Sequence, residues 1–278
     1  MDGEAGGRAM SMAETIKAGP LDLEVLRRGR GRPILLIHGI NPVSPKGPFV
    51  DLLAQHGEVI APSHPGFGHS PRPLDCDTMY DLVNVYLDVL DGLPQDAVVI
   101  GFSFGGWIAA ELAVSGHPKL GKLVLVDALG IKLAGREERD FPHFFNTNPS
   151  ELNRRAWHDP ANAPAGIYGV GWHERIGDDM TDEDMTRLAR NWDSLCLYAW
   201  RPHMYNPQLK QWLRRISVPT QVLWGASDGI VSPDYGRGYA ALIPGARFVQ
   251  IDAAGHHPEL ERPQEFAEQI ARFLGQAK

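Results

Sequence analysis

The sequence predicts an α/β fold: a doubly wound, mostly parallel sheet interrupted by a mostly helical insertion. Three observations predict it. Short apolar runs recur at Pro33–Ile37, 58–61, 97–100, 122–126, 221–224 and Arg247–Ile251, most of them continuous rather than alternating. Strands read that way when both faces of a parallel sheet are covered. Helical patterns lie between the runs, and strands alternating with helices make a doubly wound sheet. The alternation stops over residues 129–213, which hold several prolines and no convincing strand.

Taken in order, Thr15–Ala18 and 21–26 alternate better than the later runs and are expected to pair antiparallel at one edge. Met79, Leu82, Val83, Tyr86, Leu87 and Leu90 recur at spacings of three and four, with Asp77 or Thr78 as the cap of that helix. Residues 107–114 are nearly all apolar, so a helix from about Phe104 should lie buried against the sheet. Phe266, Ile270, Phe273 and Leu274 mark a last helix with Pro263 near its first turn. Residues 1–128 and 214–278 are therefore expected to form the core, and 129–213 a helical cap. Of 24 Phe, Trp and Tyr residues, eleven fall in that cap, including Trp157, Trp172, Trp192, Trp200 and Trp212. Its apolar face should cover something. The plainer alternative is that most of these aromatics form the cap's own small core.

Composition narrows the function. The chain has 278 residues, 27 Lys+Arg against 34 Asp+Glu, a net charge of −7 and 43% hydrophobic residues. That is an ordinary folded protein of one large domain, or one domain with an insertion. Net negative charge with scattered cations argues against nucleic acid as the main partner. No apolar run is long enough for a membrane-spanning helix. The first twenty residues carry no apolar leader stretch, so the cytoplasm is the expected compartment, and Met10 or Met12 is an alternative start. Cys76 and Cys196 make no disulfide framework. His173-Glu174 lacks the second histidine of a zinc helix, and neither Gly66-x-Gly68 nor Gly236-x-Gly238 completes a dinucleotide fingerprint. No metal, nucleotide or redox cofactor is indicated, and the oligomeric state stays open.

The chemistry concentrates in Gly101-Phe102-Ser103-Phe104-Gly105, placed between a strand and a helix. A serine at such a junction sits at the apex of a sharp turn, and the glycines spare it a clash with neighbouring elements. The helix N-terminus then points free N–H groups at developing negative charge. A serine needs a base. His256, after the last strand and after Gly255, is the candidate, with His257 as its rival. The base needs an orienting carboxylate. Asp228 follows the 221–224 strand, Asp127 follows the 122–126 strand, and Asp252 lies too close to His256 along the chain. Asp228 is preferred. The N–H of Phe104 and that of Ile40, in His38-Gly39-Ile40-Asn41-Pro42, are the candidate oxyanion donors; Pro42 has no N–H, and His38 reads as structural.

With the order Ser103…Asp228…His256, the chain resembles the α/β-hydrolase superfamily with an inserted cap. The His38-Gly39 loop, the Pro65-Gly66-Phe67-Gly68-His69-Ser70 turn, the serine elbow, the segment from Val218-Pro219-Thr220 to Asp228, and Gly255-His256 with Glu261-Arg262-Pro263 carry the likeness. It covers about residues 14–128 and 214–276. Members often have Asp where this chain has Ser63. The likeness implies a serine hydrolase without cofactor, acting on a partly apolar small molecule: an ester, a lactone, or a C–C bond beside a carbonyl. Ser103 argues against the haloalkane and epoxide chemistries, which use Asp there. A C–C hydrolase of ring-fission products would need a charge from Arg136, Arg175, Arg187, Arg190 or Arg201. An acyltransferase or perhydrolase, and a non-catalytic ligand-binding member, are the further alternatives. Trp192, Trp200 and Tyr205 are the expected cap residues of the substrate pocket.

Overall fold

The computed structural model describes residues 14–163 and 181–275. Trp172, His173, Glu174 and Arg175, named above, lie outside them. The strands are β1 (Thr15–Ala18), β2 (Leu21–Arg28), β3 (Pro33–Ile37), β4 (Glu58–Pro62), β5 (Ala97–Phe102), β6 (Leu120–Val126), β7 (Thr220–Gly225) and β8 (Arg247–Ile251). They form one sheet in the order β1-β2-β4-β3-β5-β6-β7-β8. The expected edge pair is there: β1 runs antiparallel to β2, and β2 antiparallel to β4, while β3 to β8 are parallel. The helices are α1 (Pro48–Leu53), α2 (Met79–Gly92), α3 (Phe104–Ser115), α4 (Pro149–Ala156), α5 (Asp182–Ala199), α6 (Leu209–Trp212), α7 (Pro233–Ala241), α8 (Pro258–Glu261) and α9 (Pro263–Leu274).

The continuous apolar strands have a simple cause. Successive side chains point to opposite faces of a sheet. Leu35, Ile37, Val99, Leu123 and Leu125 pack on one face with residues of α2 and α3. Ile34, Leu36, Val98, Ile100, Val124 and Val126 pack on the other with α1 and α9. Both faces are therefore covered, and the few polar strand residues are buried as well: Lys122 of β6 donates its Nζ to the Phe273 carbonyl of α9. Thr78 is the cap of α2, closing a capping box with Asp81.

Between β6 and β7 the described residues hold α4, α5, α6 and two short 3₁₀ turns. Their one β-type contact is the isolated bridge from Gly130 to Tyr205. Helix α5 lies against the 65–70 turn through side chains on one face. Tyr198 Oη donates to the Pro65 carbonyl, Ser194 Oγ to Gly66, and the Arg190 guanidinium to Gly68 and Ser70. Asn191 Oδ1 accepts from the Gly68 N–H at 3.0 Å, and its Nδ2 donates to Asn41 Oδ1 at 3.0 Å. Ser63 stands just before that turn. Glu24 of β2 ties it to the turn, accepting from Ser63 Oγ at 2.9 Å and the His69 N–H at 3.0 Å.

Candidate active site

Ser103 stands between β5 and α3 with φ 50 and ψ −114, a conformation that L residues rarely adopt. Its flanking glycines are required by close approach. A Cβ on Gly105 would lie 2.1 Å from the Ile37 carbonyl oxygen, and one on Gly101 2.5 Å from the Gly105 oxygen. The strained backbone lifts the half-buried serine hydroxyl off the sheet, where it meets His256: Oγ to Nε2 is 2.8 Å. His256 Nδ1 faces Asp228 Oδ2 at 2.7 Å, and Asp228 Oδ1 accepts from the Ile230 and Val231 N–H groups at 2.8 and 2.9 Å. The Asp228 carboxylate fixes Nδ1 as the protonated nitrogen, which leaves Nε2 a lone pair for the serine proton. Both Asp228 and His256 are buried.

Backbone contacts hold the two loops that carry this pair. A Cβ on Gly225 would lie 1.8 Å from the Gly255 oxygen, so the loops after β7 and β8 touch there. The end of α4 reaches both: the Gly229 N–H donates to the Arg155 carbonyl at 3.0 Å and the His256 N–H to the Ala156 carbonyl at 2.6 Å. The rivals fall elsewhere. His257 stacks on Trp157 at 4.8 Å and pairs with Glu259, and Asp252 is exposed. Asp127 is fully buried beside Asp228. Ligand-type atoms of Asp127, Asp228 and His256 gather within 4.8 Å. Both oxygens of Asp228 and both nitrogens of His256 are already engaged in the contacts above.

The 38–41 loop approaches the serine closely. A Cβ on Gly39 would touch Ser103 Cβ at 3.4 Å. Ile40 and Phe104 line the same cavity as Ser103, and their N–H groups find no acceptor among the described residues. The loop is anchored by histidines. His38 Nε2 accepts from the His64 N–H at 2.9 Å while Nδ1 donates to the Gly39 carbonyl. His64 Nε2 donates to the His38 carbonyl, and its Nδ1 accepts from Tyr86 Oη at 2.5 Å. Burial pushes the His38 pKa down to about 3 and that of His64 well below the usual histidine range, so both rings stay neutral.

The cavity in front of Ser103 holds about 1040 Å³. Leu129, Phe144, Leu188, Leu195 and Met204 line it on the side of the segment between β6 and β7. Trp192, Trp200 and Tyr205 do not line it, which corrects the sequence expectation. On α5 the lining residues Leu188, Asn191 and Leu195 follow a three- and four-residue spacing. Trp192 is one residue on, about 100° around the helix, and packs on Phe145. Trp200 is 49% exposed and also leans on Phe145. Tyr205 is held at the Gly130 bridge, with Lys132 Nζ 6.0 Å from its ring centre. Of the arginines, Arg190 is spent on carbonyls, Arg187 lines the cavity but pairs with Asp184 at 2.6 Å, and Arg136 and Arg201 are exposed.

Strand order, elbow and cavity define the class. Residues 34–269 match the model of the alpha/beta hydrolase family, and the chain belongs to that family. It is 28% identical over 266 residues to a 2-hydroxymuconate semialdehyde hydrolase of Pseudomonas putida, covering 90% of this chain and 89% of that protein. Its fold is similar to that of a meta-cleavage product hydrolase from Pseudomonas fluorescens IP01, with TM-score 0.73 and 20% identity over 95% of this chain and 99% of that one. It is likewise similar to a thermophilic esterase from Thermogutta terrifontis, with TM-score 0.67 and 24% identity over 94% and 96%. The protein is thus a hydrolase of the α/β family, and no helix among the described residues is long and apolar enough to cross a membrane.

Proposed function

We propose that the protein cleaves a carboxylic ester or lactone through an acyl-enzyme, with Ser103 as nucleophile, His256 as base and Asp228 as acid. The observation that carries this is the unbroken chain from Ser103 Oγ through His256 to Asp228, opening on a largely apolar cavity. Ser103 attacks the acyl carbon as its proton passes to His256 Nε2. The oxyanion accepts from the Ile40 and Phe104 N–H groups, each such donor being worth about 3–4 kcal/mol in the transition state. The alcohol leaves with the proton from His256. Water then attacks the acyl-enzyme, gives its proton to His256, and the acid departs as Ser103 regains its own. Residues 129–213 act as the cap over the acyl group, and residues 1–128 with 214–278 as the core.

A second reading, hydrolysis of a C–C bond in a ring-fission product, is favoured by the names of two similar proteins. It needs a cation for the substrate carboxylate; Arg190 is committed to carbonyls, and Arg187, in a surface pair with Asp184, and Lys46 line the cavity as the candidates. The test is a panel run on purified protein: p-nitrophenyl acetate and butyrate, a lactone, and a vinylogous diketone acid. Turnover of the esters or the lactone, lost in Ser103→Ala, is expected. Preference for the diketone acid moves the assignment to C–C hydrolysis. Ester turnover accelerated by an added acyl acceptor points to acyl transfer, and binding without turnover of any substrate to a ligand-binding protein.

A further inference from the structure

Asp127 is the buried carboxyl group that the proposed mechanism leaves without a task. It follows β6 immediately, is fully buried, and holds a left-handed φ of 44. Its Oδ1 accepts from the Gly225 N–H at 2.9 Å. Its Oδ2 is buried and accepts nothing among the described residues. A carboxylate oxygen of Asp228 lies within 4.8 Å of one of Asp127, so two carboxyl groups face each other in a buried site.

That juxtaposition has one economical chemistry. Asp228 is already an acceptor three times over, from Ile230 N–H, Val231 N–H and His256 Nδ1. It therefore has no proton to offer. Two carboxylates buried against each other repel, and a buried oxygen without a donor loses its hydration for nothing. One proton between them turns the repulsion into a short, strong type of hydrogen bond. We propose that Asp127 is a neutral carboxylic acid whose Oδ2–H donates to the Asp228 carboxylate, making it the positioning residue of the group that orients His256. The inference rests on the role assigned to Asp228 above. Burial and the neighbouring Asp228, with Glu259 adding to them, hold the Asp127 carboxyl well above the usual carboxylate range. The other half of the same side chain pins Gly225, where the acid loop leaves β7. One residue thus joins the end of β6 to both ends of the 225–228 loop, and its proton stays in place through the reaction.

The substitutions separate this role from simple packing. Asp127→Ala removes both the acceptor for Gly225 and the donor to Asp228, and kcat should fall by roughly ten- to a hundredfold with KM little changed. Asp127→Asn keeps a carbonyl for Gly225 and offers an uncharged N–H to Asp228, so it should recover most of that loss. The infrared difference spectrum of parent minus Asp127→Asn at neutral pH should contain the carbonyl band of a protonated carboxyl group. If Asp127→Ala does not fold, kcat of Asp127→Asn and the infrared band decide alone. A carboxylate band in place of the acid band, or an Asp127→Asn variant as impaired as Asp228→Asn, overturns the proposal. Retained activity in Asp228→Asn would instead unseat the reading of Asp228, and the infrared band at Asp127 would still report its proton.

Discussion

The ends of β5 and β8 and the segment between β6 and β7 face one cavity, with the end of β7 behind them, yet strand ends and segment are held in opposite ways. At the strand ends the backbone does the positioning. Gly101, Gly105 and Gly225 stand where any Cβ would meet another chain segment within 2.5 Å. Helix α5 is held by side chains instead: Arg190, Asn191, Ser194 and Tyr198 bond to the main chain of the 65–70 turn. Backbone fixation places reacting atoms on a rigid frame, whereas side-chain fixation can be altered residue by residue. The chemistry should therefore fail abruptly on substitution at the strand ends, and substrate choice should change gradually on α5.

The largest effect is expected at Ser103. Ser103→Ala should lower kcat by about six orders of magnitude, as in a comparable triad, with a melting temperature near that of the parent because the hydroxyl is half-buried. Asp228→Asn should cost about four orders of magnitude by leaving the imidazole in the wrong tautomer. Far smaller losses in Asp127→Asn, with kcat and melting temperature measured side by side, would sharpen the contrast between the two aspartates.

On the α5 side, Asn191→Leu strands the Gly68 N–H and removes one hydrogen bond to Asn41 Oδ1, since Asn191 bonds to both. Chemical denaturation should report a loss of about 1–3 kcal/mol, and KM for the esters should rise more than kcat falls. Leu195→Ala should shift preference toward longer acyl chains, because Leu195 lines the cavity. Trp200→Ala should leave that ranking as it is, since Trp200 is outside it. A changed ranking in Trp200→Ala with none in Leu195→Ala would break the comparison.

The scaffold under the 38–41 loop makes a milder prediction. His38, with its pKa pushed down to about 3, and His64 stay neutral in the fold but take up protons near 6.5 when unfolded. Below pH 6.5 the unfolded chain thus binds more protons, and stability falls with acidification at about 1.4 kcal/mol per pH unit for each ring. Asp127 works the other way: above 3.8 the folded chain retains a proton that the unfolded chain has lost. Urea unfolding from pH 6.5 to 4.5 should therefore show declining stability, with a steeper decline in Asp127→Asn.

The two regions were also unequally legible in the sequence. Ser103, Asp228 and His256 stand at strand ends, and strands buried on both faces announce themselves as apolar runs. The glycines near them mark close approach in the same local window. On α5 composition points to Trp192 and Trp200, whereas the informative signal for the lining is the spacing of Leu188, Asn191 and Leu195. The carboxylate of Glu24 that holds Ser63 and the 65–70 turn has no local sign at all. It depends on β2 pairing with β4, a contact between residues 39 positions apart. The same holds for Asn191 and Asn41, 150 positions apart.

The most direct measurement of the central claim is covalent trapping. The protein is incubated with a serine-directed fluorophosphonate and its intact mass and proteolytic peptides are read by mass spectrometry. One phosphonyl group per chain, on the peptide carrying Ser103, with ester turnover lost in step with labelling, is the predicted result. An adduct on another residue, or undiminished turnover at full labelling of Ser103, would contradict the assignment of Ser103 as the nucleophile.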